Sequence, residues 1–251
     1  MSNIYDQTYL KSLFDEMQSS YERVCNMTSF GFNRRWRRLL IGLMGIETGM
    51  QAGDLMAGSG ESWIYLLPRI AHDGHLTAID FSHESIKQAH KRRAKLGAQN
   101  ITILEEDALC SSIPSNSLDA VICVYGVKTL SPLGQRQFVQ EVKRILKPGG
   151  RLGLVEVSVP QFAPMRWLYG LHLGVIVPIV GKLLLGNPHN YRMLWRYTSA
   201  FGNCRGLECL FAESGFDLRF ISLFGGCATA LVGRKSVSRR QHIAAEFVKR
   251  L

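Results

Sequence analysis

The chain has no Cys-x-x-Cys pair, no internal repeat, no low-complexity run and only 8 prolines in 251 residues. Its cysteines, Cys25, Cys110, Cys123, Cys204, Cys209 and Cys227, are scattered, which argues against a disulfide framework or a zinc site and for reduced thiols in the cytoplasm. No metal is expected. The opening Met1-Ser2-Asn3-Ile4-Tyr5-Asp6 lacks the basic and then apolar pattern of a secretory signal, so export is not expected. One long apolar run exists, from Trp167 to Leu185, but His172, Pro178, Lys182 and three glycines interrupt it. It is expected to form a lid that touches a membrane interface at most, rather than a spanning helix.

Acid is scarce as well. Lys and Arg number 30 against 20 Asp and Glu, a net charge of +10. Arg34, Arg35, Arg37 and Arg38 form one cluster, and Arg234, Lys235, Arg239, Arg240, Lys249 and Arg250 crowd the C-terminus. Solvated faces account for most such runs; an anionic membrane surface ranks next as a partner and nucleic acid last. An apolar fraction of 46% over this length is ordinary for a globular chain that buries a full core.

The periodicity predicts an α/β fold. Leu10, Leu13, Phe14, Met17, Tyr21 and Val24 recur at helical spacing, and a second helix is expected from Asn33 to Met44. Strands are expected near 51–56, 75–80, 101–105, 117–125 and 151–157, with helices near 62–71, 83–96 and 133–146 between them. Lys147-Pro148-Gly149-Gly150 reads as a stop and turn. A helix near 204–214 and two strands near 217–223 and 228–235 complete a Rossmann-like sheet of seven strands with helices on both faces. The division expected is a helical cap over 1–46, a main domain over 47–235 that contains the lid 161–203, and a basic C-terminal helix over 236–251.

The motif that carries chemistry is Asp54-Leu55-Met56-Ala57-Gly58-Ser59-Gly60, followed by Asp80-Phe81-Ser82. Glycines let a ligand approach the backbone at a strand-to-helix turn, and an acid closing the second strand can hold both hydroxyls of a ribose. A third glycine is missing, and Glu61 at the helix start repels a pyrophosphate. The pattern therefore fits S-adenosylmethionine, which has no phosphate, better than a dinucleotide.

With Glu106-Asp107-Ala108, Leu118-Asp119-Ala120-Val121 and the run from Arg144 to Arg151, these motifs stand in the order of a class I S-adenosylmethionine-dependent methyltransferase. Within that superfamily the chain resembles the ubiquinone/menaquinone biosynthesis C-methyltransferases over nearly its whole length. Ser29-Phe30-Gly31, Trp36-Arg37-Arg38, the run from Val155 to Pro160, Tyr191-Arg192-Met193-Leu194 and Glu213-Ser214-Gly215-Phe216 carry that likeness. It implies that Gly58 and Gly60 line the methionine part of the cofactor, that Asp80 holds the ribose, and that Asp107 faces the adenine amino group beside Ala108. Asp54, Ala57, Ser59, Phe81 and Val124 complete the implied cofactor set. Where the family carries an arginine after the fourth strand, this chain has Lys128 in Tyr125-Gly126-Val127-Lys128-Thr129, and lysine lacks arginine's planar fork.

The leading expectation is methyl transfer to a carbon of a hydrophobic, electron-rich acceptor, quinone-precursor-like, aromatic or prenylated. O-methylation of a similar molecule is the alternative, with RNA methylation and a cofactor-binding protein without catalysis behind it. Tyr21 in the cap, Lys128 in the fourth-strand loop and His172 in the lid are the candidate bases for a phenolic acceptor. Against those roles stand cap packing for Tyr21, a solvated loop charge for Lys128 and lid packing for His172. A homodimer stays open.

Overall fold

Asp6 starts the first helix, α1 (Gln7–Thr28), by accepting the Tyr9 N–H on its carboxylate at 3.0 Å. Gly31, in the left-handed region at φ +78°, turns the chain into α2 (Phe32–Leu43), which buries Trp36, Arg37, Leu40 and Ile41. The computed structural model describes residues 4–185 and 188–237, without the side chains of 18–21, 184–185 and 188–190. The side chain of Tyr21, and the expected C-terminal helix from residue 238 on, lie outside the described residues.

Strand and helix then alternate as β1 (Gln51–Leu55), α3 (Trp63–Ile70), β2 (His75–Asp80), α4 (His83–Leu96), β3 (Ile101–Glu105), β4 (Leu118–Val124), α5 (Pro132–Ile145) and β5 (Leu146–Val157). Ser82 caps α4 and Gly97 ends it in the left-handed conformation. β6 (Phe216–Leu223) and β7 (Ala228–Lys235) follow α9 (Arg205–Glu213). The sheet order is β3-β2-β1-β4-β5-β7-β6, with only β7 antiparallel to its neighbours. The order reverses between β1 and β4, and such a reversal opens a crevice at the strands' carboxyl ends.

Two apolar layers sandwich the sheet. One gathers Trp36, Leu40, Trp63 and Leu66; the other gathers Phe138, Val142, Leu207 and Phe211. One expectation needs correcting. The Lys147-Pro148-Gly149-Gly150 run is not a turn ahead of β5 but a bulge within it, since Leu118 pairs with Leu146 and Ala120 with Arg151. Asp119 stabilises that irregular edge by accepting from Lys147 Nζ at 2.7 Å and from the Gln51 N–H at 2.9 Å.

Between β5 and α9 the chain forms α6 (Ala163–Leu171), a π-turn (His172–Ile176), α7 (Val177–Leu185) and α8 (Pro188–Phe201). These pack on α1 through a third cluster that includes Leu10, Leu13, Met17, Leu173, Val177, Tyr191 and Tyr197.

Candidate active site

The crevice is built from the ends of β1, β2 and β4. Asp80 is held across it: its Oδ2 accepts the Gly58 N–H at 2.8 Å and its Oδ1 the Ser82 N–H at 2.9 Å. Burial raises the Asp80 pKa to about 6, against those two hydrogen bonds. At neutral pH the group is thus mainly a carboxylate, and its remaining lone pairs are able to accept from hydroxyl donors.

Gly58 and Gly60 both have positive φ, but for different reasons. A Cβ at Gly60 would fall 2.5 Å from the Trp63 ring, so this glycine serves the packing of α3, whereas one at Gly58 would meet only the Glu61 carboxylate at 3.3 Å. Ser59 Oγ donates to Glu61 Oε1 at 3.0 Å and folds that acid back over the loop. Asp54 is buried behind the loop, accepts from Trp63 Nε1 at 3.1 Å, and is pushed by burial to about 8.

Of the expected cofactor residues, Ala57, Gly58, Asp80, Phe81 and Val124 line the crevice. Asp107 lines the adjoining groove, which shares Phe81 with the crevice. Asp54, Ser59, Gly60 and Ala108 line neither the crevice nor the groove. Asp107 accepts from Gln7 Nε2 at 2.7 Å and from the Leu109 N–H at 2.9 Å. Sequence reasoning missed Phe14, Arg37 and Gln7, which reach the site from the two N-terminal helices. Phe14 meets Phe81 edge to face at 6.3 Å, and Arg37 is the only Lys or Arg in the crevice wall among the described residues. Two acids able to accept from a diol and an amine, aromatic walls, and an Arg37 and Glu61 pair of opposite charge fit a nucleoside joined to an amino acid.

A second cavity of about 350 Å³ lies between α2, the end of β4 and the α6 to α7 segment. Phe30, Phe32, Trp36, Tyr125, Tyr169, Leu173 and Val177 make it apolar. Arg37 and Tyr125 line both this cavity and the crevice, so the two meet there. The Arg37 guanidinium lies over the Tyr125 ring, 4.8 Å from its centroid, and the Tyr125 hydroxyl donates to the Asn33 carbonyl at 3.2 Å.

Lys128 and His172, two of the three candidate bases, reach the wall of this cavity. Lys128 is not a solvated charge. It is 3% exposed, and its ammonium donates to Glu156 Oε1 at 2.9 Å and to the Tyr125 carbonyl at 2.7 Å. His172 stacks on Tyr169 with ring centroids 6.2 Å apart and is hydrogen-bonded to the Thr28 backbone. Burial lowers its pKa, which favours the neutral imidazole. Among the described non-glycine residues with positive φ, Phe30, Met56, Tyr125 and Phe224 all line one or other cavity. Such backbone strain gathers where a site must be held in shape.

The family model of the ubiE/COQ5 methyltransferase family matches residues 1–235. A demethylmenaquinone methyltransferase of Listeria monocytogenes serotype 4a is 27% identical over 224 residues, which cover 89% of this chain and 94% of that one. One from Staphylococcus aureus strain JH9 is 29% identical, over 89% of this chain and 91% of its own length. Among solved structures, a putative S-adenosyl-L-methionine-dependent methyltransferase from Methanococcus maripaludis aligns with a TM-score of 0.60 at 17% identity, covering 94% of this chain and 95% of that one. The geranyl diphosphate C-methyltransferase of Streptomyces coelicolor A3(2) aligns with a TM-score of 0.58 at 10% identity, over 80% of each chain. These structural likenesses concern the fold, a class I methyltransferase sheet with helices on both faces. By its family match the chain belongs to the ubiE/COQ5 methyltransferase family.

Proposed function

We propose that this protein transfers a methyl group from S-adenosylmethionine to a ring carbon of a hydrophobic, electron-rich acceptor, a quinone precursor or a close analogue. One observation carries the reading: a polar nucleoside crevice and an apolar cavity of about 350 Å³ meet at Tyr125 and Arg37. The names of the demethylmenaquinone methyltransferases above support the choice of acceptor class. When bound, the cofactor supplies a sulfonium-activated methyl group.

The residues of this chain then have four tasks. Asp80 accepts from the ribose hydroxyls, and Asp107 accepts from the adenine amine in place of Gln7. Ala57, Gly58 and Val124 line the way to the methionine part, with Arg37 facing its carboxylate and Glu61 its ammonium. The aromatic walls exclude water and align the acceptor for in-line attack. Phe30, Phe32 and Trp36 of the cap and Tyr169, Leu173 and Val177 of the lid enclose that acceptor.

Methylation of carbon releases a ring proton, and a phenolic acceptor is more nucleophilic once its hydroxyl has lost one. His172 is the base best suited to this. Its neutral ring uses one nitrogen on Thr28 and keeps the other as an acceptor, whereas the Lys128 Nζ is already engaged by Glu156 Oε1 and the Tyr125 carbonyl. Lys128 acts by positioning Tyr125 through its carbonyl. Incubation with methyl-labelled cofactor and separate lipid and RNA extracts tests the reading. Label in a lipid-soluble ring supports it, while label in RNA, or in no acceptor, overturns it.

A further inference from the structure

The outer side of the α6 to α7 segment is apolar where a soluble protein is usually polar. Trp167, Leu171, Val175, Ile179 and Leu183 recur every four residues and are all exposed, Trp167 at 67% and Leu183 at 79%. The inner side is fixed to the body of the protein. Leu173 and Val177 are buried against α1 and α8. Glycine at 181 makes room for the Tyr191 ring, since a Cβ there would lie 2.4 Å from it. The stretch Ala163–Leu183, whose most apolar 18 residues have a mean hydropathy of 1.3, is long and apolar enough to cross a membrane by length and composition. Its packed inner face holds it along the surface of the fold instead.

Two further features adjoin this stripe. Leu168, Phe30 and Phe224 are exposed and also line the apolar cavity, so the apolar surface continues into the cavity mouth. The charge on the segment itself and on α2 has one sign; the acids nearby are Asp15, Glu16 and Glu22 of α1, which packs on α7. From Val157 to Leu207 the chain has no acid, while Arg166 and Lys182 are exposed on the segment. Between Glu22 and Glu47 it has five arginines and again no acid; Arg34, Arg35 and Arg38 are exposed on α2, next to cavity residues Phe30 and Phe32.

We propose that this face docks on an anionic lipid bilayer, with the stripe bedded at the level of the headgroups and first acyl carbons and the α2 arginines on the lipid phosphates. An amphipathic helix held flat by one face, with cations at its rim, has the chemistry for such in-plane binding. Docking turns the mouth of the apolar cavity toward the bilayer. Docking is read without turnover, so its failure is distinguishable from failure of the methyl-transfer reading.

The test is flotation of the full chain with phosphatidylcholine vesicles that contain or lack phosphatidylglycerol. The wild type should float with the anionic vesicles and be released by salt, and brominated lipid should quench Trp167 fluorescence. Leu171 and Ile179 are exposed and line neither cavity, so Leu171→Glu/Ile179→Glu should abolish flotation while the thermal midpoint and cofactor affinity stay those of the wild type. Arg34→Ala/Arg35→Ala/Arg38→Ala should weaken partitioning to anionic vesicles by on the order of 100-fold. A wild type that does not float overturns the proposal, as does a double variant that floats equally well. A stable dimer in light scattering, split by the same double variant and without flotation, would assign the stripe to a second copy of the chain and overturn it too.

Discussion

Lys128 and Glu156 form an ion pair of 2.9 Å at the wall of the apolar cavity, with Lys128 3% exposed and Glu156 fully buried. Glu156 accepts two further hydrogen bonds, from the Lys128 N–H at 3.1 Å and the Val157 N–H at 2.8 Å. The pair ties the loop after β4 to the end of β5 and so sets where Tyr125 stands between crevice and cavity.

Removing one partner leaves a buried charge without its counterion. Lys128→Ala should therefore cost about 3–5 kcal/mol of folding stability, which urea denaturation would read. Lys128→Arg keeps the charge, and should retain most of that stability while shifting the preference among aromatic and prenylated acceptors. Unchanged stability in the alanine variant would show that the pair is not structural.

Cofactor affinity should depend on Asp80. Asp80→Ala removes an acceptor for the ribose hydroxyls and should weaken binding by about 1.5–3 kcal/mol, as calorimetry on the folded variant would show. Because burial raises the folded pKa to about 6, ionised Asp80 is the minority form below that pH. Affinity should rise as pH increases through about 6 and then level off, and Asp80→Asn should flatten the profile.

His172 sets a different pH dependence. Burial lowers its folded pKa below the usual histidine value, so the unfolded chain binds the proton more tightly. Its contribution to stability is present above the unfolded value and is lost as pH falls through the range down to the folded one. Turnover at saturating cofactor should fall on the acid side with the same group. In His172→Gln, kcat should drop by roughly 10²–10⁴-fold with that limb gone and cofactor affinity retained. A variant with wild-type kcat and pH profile would make His172 lid packing alone.

The two loop glycines should part company. Gly60→Ala drives a methyl group into the Trp63 ring in addition to a left-handed backbone, and should lower the melting temperature markedly. Gly58→Ala faces only the Glu61 carboxylate and should cost about 1–2 kcal/mol for its backbone, with its main loss in cofactor affinity. Differential scanning fluorimetry with and without cofactor separates the two effects.

The difference between what was legible in the sequence and what was not follows from contact range. The strands and the Gly58 to Asp80 unit are written locally, in apolar runs closed by an acid and a glycine turn, and the sequence reading places β2, β3 and β7 at their observed bounds. The bulge at Lys147–Gly150 was read as a turn because Pro and Gly signal both, and only the pairing with β4 distinguishes them. Gln7, and the site role of Arg37, which stands out in the sequence only within a basic cluster and the Trp36-Arg37-Arg38 motif, are not legible there because helix packing brings both to the crevice and its adjoining groove. Lys128 has no neighbour in sequence that announces burial, since Glu156 lies 28 residues on.

The central claim is that a methyl group from S-adenosylmethionine reaches a ring carbon of an acceptor seated in the apolar cavity. The most direct measurement is carbon NMR of the product formed from methyl-labelled cofactor and a demethylated quinol. A labelled methyl resonance on an aromatic ring carbon, lost when Tyr169→Arg fills the cavity and retained in Leu171→Glu, is the result expected. A methyl on oxygen, or product formed equally well by Tyr169→Arg, would contradict it.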